Sequence, residues 1–97
     1  MSVGVAAVLA AAADVIVERG WCQGRYEDAD GRHCIVGAVD AAAKARGRKS
    51  VGVIYDVLER RVGAAYLTRW NDAPERVADE VVAALRDCAE AERGRRA

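Results

Sequence analysis

The stretch VAAVLAAAADVIVERG, residues 5–20, decides the fold class because its apolar side chains recur with the spacing of an α-helix. The apolar positions on the shared face are Val5, Val8, Leu9, Ala12 and Ile16. Gly20 follows them as a natural C-cap, since glycine readily adopts the left-handed conformation that ends many helices. The stretch therefore predicts a first helix that ends at Gly20.

Three later segments show the same helical spacing. They are residues 34–46, residues 50–63 with an alternative continuation through AAYLTRW, and residues 72–92. Ser50 can cap the third helix, and DAPE at residues 72–75 resembles a capping box with proline in the first turn. Alanine, the strongest helix former, supplies much of the 53% apolar content, and phenylalanine is absent. We therefore predict an all-α fold, a compact bundle of about four helices around a thin core of small side chains.

The sequence between the first two helices is rich in glycine. Residues 20–33 contain three glycines and an Asp-Gly pair, which favour turns with positive φ, so we expect a glycine-rich loop or a short hairpin. Gly37 lies inside the second helix at a cost of about 1 kcal/mol relative to alanine, which predicts a very close neighbour at that turn. The length of 97 residues predicts a single domain, residues 1–97, with residues 93–97 as a frayed tail.

Charge and hydropathy weigh against several classes of function. Lys plus Arg equals Asp plus Glu at fifteen each, so no net field concentrates nucleic acid or anionic lipid around the chain. No apolar run approaches the roughly 18 residues of a membrane span, and Asp14 and Glu18 interrupt the segment that mimics a signal peptide. Three cysteines, an odd number, argue for reduced thiols. We expect a cytoplasmic protein that does not bind membranes.

Four motifs occur in order along nearly the whole chain: GWCQG (20–24), GRHCIVGAV (31–39), RWNDAPER (69–76) and EVVAAL (80–85). Together they resemble a family of short, functionally uncharacterised proteins of actinobacteria and their phages. The residues that carry the resemblance are Trp21, Gln23, Gly24, Gly31, Cys34, Gly37, Ala38, Trp70, Asn71 and Asp72. Arginine outnumbers lysine thirteen to two, as in proteins of GC-rich genomes. The resemblance implies a source and an extent but no activity.

Cys34 is the strongest catalytic candidate. A thiol at a helix N-terminus has its thiolate stabilised by the helix dipole, and His33, Asp72 or Asn71 could complete a nucleophilic site. Against catalysis, neighbouring residues that enter a helix point in different directions, so His33 would not orient the thiol. Cysteine is also among the most commonly buried side chains. We therefore expect a structural thiol. The alternative is a cysteine-dependent hydrolase or thiol enzyme that uses Cys34, His33 and Asp72.

Two kinds of metal site can be compared with the sequence. The candidate zinc ligands are Cys22, His33 and Cys34, with Cys88 or Asp30 as a fourth. Their spacing lacks the paired ligands of familiar zinc sites. The segment EDADGR (27–32) looks like part of a calcium loop, but the aligned first and twelfth positions, Tyr26 and Gly37, lack the essential carboxylates. We expect no metal and no cofactor.

Residues 43–61 faintly resemble a helix-turn-helix motif, with Ala43, Gly47 and Val53 at its small, turn and aliphatic positions. The motif would bury three charged side chains, those of Arg46, Arg48 and Asp56, which is costly without partners. The basic cluster of this region comprises Lys44, Arg46, Arg48 and Lys49. Such a cluster is more often a solvated turn, so a nucleic-acid-binding module is the third choice.

Both tryptophans lie beside polar residues, and the candidate partner-binding set is Trp21, Gln23, Trp70 and Asn71. Aromatic and polar groups together suit a recognition surface. We favour the structural interpretation, in which the rings fill a small core, Asp72 caps a helix and Asn71 holds down the loop after Gly20.

The first helix carries alanine on more than one face, so it is either surrounded within the chain or shared with another chain. Because a chain of 97 residues surrounds a helix with difficulty, we expect a homodimer or a protein partner through this helix. The sequence thus predicts a small non-catalytic protein–protein interaction module, in a process related to phage or prophage.

Overall fold

The computed structural model describes residues 4–96, and within that range it contains five helices and no β-strand. The helices are α1 (Val5–Arg19), α2 (Ile35–Ala45), α3 (Gly52–Val62), α4 (Leu67–Asn71) and α5 (Ala78–Arg96). The radius of gyration is 12.3 Å, close to the roughly 12 Å expected for a compact chain of this length. The predicted all-α class and compact bundle are confirmed. Among the described residues, none of the helices combines the length and the apolar character needed to cross a bilayer.

The first helix lies in the middle of the bundle. Helix α1 packs against α2, α3 and α5, and it buries Ala11, Ala12 and Ala13 together with larger aliphatic side chains. Alanine side chains let neighbouring helices approach closely, so the core is small and lined by alanine, as predicted. The larger fully buried side chains are Leu9, Ile35, Ile54, Leu58 and Leu85. Most of the apolar surface of α1 is therefore covered within the chain, although Ala7 and Val17 are exposed. The homodimer or protein partner through this helix stays a prediction.

The ends of α1 and α3 follow the local sequence. Gly20, with φ 98°, donates its N–H to the Ile16 oxygen at 2.8 Å. Gly63, with φ 73°, donates its N–H to the Glu59 oxygen at 2.9 Å and ends α3. Both ends lie where the glycines predict them, because glycine adopts a positive φ at little steric cost. Gly63 has the left-handed conformation, with ψ 33°, whereas Gly20 has a more extended one, with ψ 166°.

Three predicted helix ends are wrong. Helix α3 begins after Val51, and Ser50 makes no side-chain cap. Helix α5 begins at Ala78 instead of near Asp72, because the chain first forms α4 and then turns through residues 72–77. The Glu80 carboxylate accepts the Val77 N–H at 3.1 Å and so takes the capping role expected of Asp72. Helix α5 also continues past Glu92 through residues 93–96, while Ala97 lies outside the described residues.

The segment between α1 and α2, here called the 20–34 loop, is a compact loop without a regular hairpin. Only isolated bridges occur in it, and they pair His33 with Trp21 and with Glu27. Gly31 donates its N–H to the Asp28 oxygen at 3.1 Å, which closes the tight turn expected at the Asp-Gly pair. Helix α2 then begins, with Cys34 as its N-cap, at the predicted place.

Candidate functional site

The side chain of Asn71, at the end of α4, is fully buried and makes four hydrogen bonds. Its Oδ1 accepts the Trp21 indole N–H at 2.7 Å and the Ile35 backbone N–H at 2.9 Å. Its Nδ2 donates to the Cys22 carbonyl at 3.1 Å and to Asp72 Oδ1 at 3.0 Å. A primary amide has two donor hydrogens and two acceptor lone pairs, so every hydrogen-bonding position of Asn71 is used. We call these five residues the Asn71 network.

The Asn71 network joins three parts of the chain that are distant in sequence. Ile35 is the first residue of α2, so Asn71 satisfies one of the N–H groups that a helix start leaves without an internal partner. Trp21 and Cys22 belong to the 20–34 loop, and Asn71 ends α4. The sequence-based interpretation that Asn71 holds down this loop is confirmed.

Gln23 and Asp72 strengthen the same junction from the solvent side. Gln23 Nε2 donates to the carbonyls of Asn71 at 3.1 Å and Ala73 at 2.9 Å. The Gly24 N–H donates to Asp72 Oδ1 at 3.0 Å. Asp72 therefore anchors the 20–34 loop, and the prediction that it caps the next helix is wrong.

The structure brings together only part of the predicted partner-binding set. Trp21 and Gln23 each donate a hydrogen bond to Asn71, but Asn71 has no exposed surface with which to touch a partner. Trp70 belongs to a separate cluster, in which the Arg76 guanidinium lies 4.0 Å from the centroid of its ring and Arg76 Nε donates to its carbonyl at 2.9 Å. Trp21, Gln23 and Asn71 thus mainly hold the junction together, and their role in binding a partner stays a prediction.

Cys34 is buried, with 3% of its surface exposed, and its sulfur accepts the Gly37 N–H at 3.4 Å. Burial raises the pKa of the Cys34 thiol, although the backbone N–H groups of Gly37 and Val36 act to lower it. The expectation that the helix dipole favours the thiolate is therefore wrong here, because the loss of water outweighs the N–H groups. The thiol caps α2 in its protonated form.

His33 does not hydrogen-bond to Cys34 anywhere in the described structure. Its imidazole is 3% exposed, with Nε2 at 3.4 Å from Glu27 Oε1 and Nδ1 buried without a hydrogen-bond partner among the described residues. Asp72, the third member of the catalytic alternative, is engaged by Gly24 and Asn71. Cys34, His33 and Asp72 are thus near in sequence or space but are not linked as nucleophile, base and orienting group.

The candidate zinc ligands do not come together as a metal site within the described residues. The Cys22 thiol donates to the Arg32 carbonyl at 3.3 Å, and burial raises its pKa. Cys88 lies in α5, near Arg61 and Glu92. Within residues 4–96, no group of three or more His, Cys, Asp or Glu side chains is arranged to hold a metal ion.

The basic cluster lies at the end of α2 and in the turn that follows. Arg46 and Asp56, which a helix-turn-helix motif would bury, are exposed. Arg48 Nε donates to the Ser50 carbonyl at 2.7 Å within this turn. This placement agrees with the interpretation of the cluster as a solvated turn.

A cleft of about 530 Å³ opens between the 20–34 loop and α4, directly beside the Asn71 network. Its lining residues are Gly24, Arg25, Tyr26, Glu27, Cys34, Thr68 and Asp72. The Tyr26 side chain is 62% exposed, and a Cβ at Gly37 would overlap the Tyr26 carbonyl oxygen. The close neighbour predicted at Gly37 is therefore the backbone of the cleft wall.

Sequence reasoning missed Tyr26, Glu27 and Thr68 as cleft residues, because no motif or spacing marks them. Gly37 was the available signal, since a glycine inside a helix predicts a close backbone approach. It could not say which part of the chain approaches.

The fold and the junction define a small all-α protein whose longest loop is held by one buried asparagine. The chain belongs to DUF6197, a family of unknown function, whose model matches residues 1–91. The resemblance to an uncharacterised family is thereby confirmed. No curated protein and no solved structure matches the chain.

Proposed function

We propose that the protein is a small non-catalytic protein–protein interaction module and that the cleft between the 20–34 loop and α4 is its binding surface. The observation that carries this proposal is that the candidate nucleophile and base, Cys34 and His33, are buried while other side chains at the cleft are exposed. Cys34, His33 and Asn71 are buried, and the side chains of Cys34 and Asn71 are hydrogen-bonded to backbone groups, whereas Tyr26, Glu27 and Thr68 line the cleft and are exposed. Chemistry would need the first group, and recognition needs only the second.

The rigidity of the junction supports this proposal. Binding costs less when the surface is already ordered, because fewer side chains and loops must be immobilised. The 20–34 loop is fixed through Trp21, Cys22, Gln23 and Gly24, which all bond to residues 71–73. The cleft wall is therefore held in place before a partner arrives.

The wider setting belongs to the same proposal. The excess of arginine over lysine and the motif pattern support a source in an actinobacterium or one of its phages, and the odd cysteine count supports the cytoplasm. A role in a phage or prophage process follows from that source.

A blocked cleft tests the proposal. Thr68→Arg places a long charged side chain in the cleft, and Ala83→Arg places the same side chain on an exposed position of α5 outside it. In affinity capture from the native host, we expect a partner retained by wild type and Ala83→Arg and lost with Thr68→Arg. Identical captured proteins from all three would contradict the proposal.

The thiol enzyme is the second candidate, because Cys34 does line the cleft together with Asp72. Alkylation by iodoacetamide in the folded protein at pH 7 separates the two candidates. We expect a rate below that of a free model thiol, since the raised pKa of Cys34 keeps it protonated. A rate above the model thiol, lost in Cys34→Ser, would favour the enzyme.

A further inference from the structure

The cleft contains polar and aromatic groups that the junction leaves unused. Asp72 Oδ1 accepts two hydrogen bonds, but its Oδ2 accepts none from the described residues. The Thr68 hydroxyl likewise has no partner among them. The Glu27 carboxylate lies 3.4 Å from His33 Nε2 through Oε1, but its side chain is 60% exposed. The Tyr26 side chain, which also lines the cleft, is 62% exposed. These groups are therefore available to bind a ligand.

The charged side chains around Cys34, at the floor of the cleft, are mainly acidic. Burial is the main cause that raises the pKa of the Cys34 thiol, and the charged neighbours that act most on it, Asp72 and Asp40, both raise it further. Among the described residues, Arg25 is the one basic residue that lines the cleft, against the carboxylates of Glu27 and Asp72. The floor therefore carries a negative potential, which favours a cationic guest.

We propose that the cleft binds an arginine-bearing segment of the partner protein, an inference that rests on the proposed interaction function. A guanidinium can stack on the Tyr26 ring and donate to the carboxylates of Glu27 and Asp72. Arginine fits these acceptors better than lysine, because its planar fork bonds carboxylates in pairs and also stacks on aromatic faces. A cleft of about 530 Å³ is within the roughly 300–1,000 Å³ of typical ligand sites, and so it has room for a short segment.

NMR titration of the whole protein with three short peptides tests this inference. The probes are the acetylated and amidated tripeptides Gly-Arg-Gly, Gly-Gln-Gly and Gly-Glu-Gly. We expect Gly-Arg-Gly to shift the backbone amides of Gly24, Glu27 and Thr68 in a saturable way, and the other two to shift them far less. Glu27→Gln should weaken Gly-Arg-Gly binding about three- to fivefold, as loss of one exposed ion pair does. The control Glu75→Gln removes a carboxylate outside the cleft and should leave the affinity unchanged.

The outcomes separate this inference from the proposed function. If Gly-Glu-Gly shifts the same amides as strongly as Gly-Arg-Gly, the cleft binds segments but the charge assignment is overturned. If no peptide shifts them while Thr68→Arg still loses the captured partner, the arginine is overturned and the interaction function stands. If neither the peptides nor Thr68→Arg has an effect, both proposals fail. A wild-type dimer in light scattering that Glu27→Gln converts to monomer would place an arginine of a second copy in the cleft and overturn the choice of partner.

Discussion

A single buried amide, that of Asn71, decides how the 20–34 loop sits on the helices. Its four hydrogen bonds replace those that its partners would make with water. Removing such a group costs more than the bonds are worth net, because the buried Ile35 N–H and the partly buried Trp21 indole N–H would be left without acceptors. The junction therefore depends on one side chain much more than on any of the exposed contacts around it.

We expect Asn71→Ala to lower the free energy of unfolding by about 3 kcal/mol, since several buried polar groups lose their partners at once. Urea unfolding followed by tryptophan fluorescence measures this loss. The control is Gln23→Ala, which removes two bonds from an exposed side chain and should cost about 1 kcal/mol. Equal losses in the two variants would refute the special role of Asn71.

Helix α2 packs closely against the cleft wall at Gly37. The backbone carbonyl of Tyr26 accepts the Cys34 N–H at 3.1 Å and occupies the space where a Cβ on Gly37 would lie. Helix α5 starts by a different device, the side chain of Glu80, which accepts the Val77 N–H and pairs with Arg76 at 3.2 Å. In both elements the local sequence supplies the helix, while a neighbouring group fixes its position or its first turn.

Gly37→Ala should destabilise the protein by about 2 kcal/mol, although alanine is the better helix former, because the new methyl group collides with a backbone that cannot move freely. Gly52→Ala is the same change in α3, at a position where no atom of residues 4–96 would lie within 4 Å of the new Cβ, and it should instead stabilise the protein by about 0.5 kcal/mol. Thermal unfolding of both variants gives the two signs. If Gly37→Ala left the stability unchanged, the backbone of the cleft wall at Tyr26 would have to move to make room for the methyl group.

Glu80→Ala should cost about 1 kcal/mol, because it removes the bond to the Val77 N–H and the ion pair with Arg76. Asp79→Ala is the matched control, since Asp79 is also acidic and exposed in the first turn of α5. Urea unfolding compares the two. A loss in Asp79→Ala as large as in Glu80→Ala would assign the effect to charge near the helix start instead of to the cap.

Folding raises the pKa of four weakly acidic side chains, three thiols and one phenol. Burial raises the pKa of the thiols of Cys22, Cys34 and Cys88. Burial, together with the hydrogen bond that its hydroxyl donates to Asp40, also raises the pKa of Tyr55. All four groups hold their protons more tightly in the folded chain than in the unfolded chain.

Stability should therefore fall in the alkaline range. The contribution of these groups is complete below their unfolded pKa values, about 8.5 for cysteine and 10 for tyrosine, and it is lost as pH rises through the higher folded values. Urea unfolding at a series of pH values from 7 to 11 measures the decline. Cys34→Ser should reduce the part that begins near pH 8.5, and Tyr55→Phe the part that begins near pH 10. A free energy of unfolding that stays constant across this range would rule the linkage out.

The sequence by itself determined the local features of this protein. The alanine-rich stripe of α1, the terminating glycines at Gly20 and Gly63, and the Cys34 start of α2 depend on interactions within a few residues, so their patterns can be read from the chain. Gly37 even predicted a close neighbour. The role of Asn71 in holding the loop was also predicted, from its place beside Trp70 at an expected helix boundary.

The cleft, the existence of α4 and the start of α5 were decided only by the tertiary structure. Asp72 has the local chemistry of a helix cap, but the Gly24 N–H, 48 residues earlier in the chain, uses its carboxylate instead. The five-residue helix α4 is too short to be stable alone, and it exists because Leu67 and Asn71 are buried against other elements. Contacts between distant residues carry no periodicity, so Tyr26, Glu27 and Thr68 become neighbours only when the loop closes onto α4.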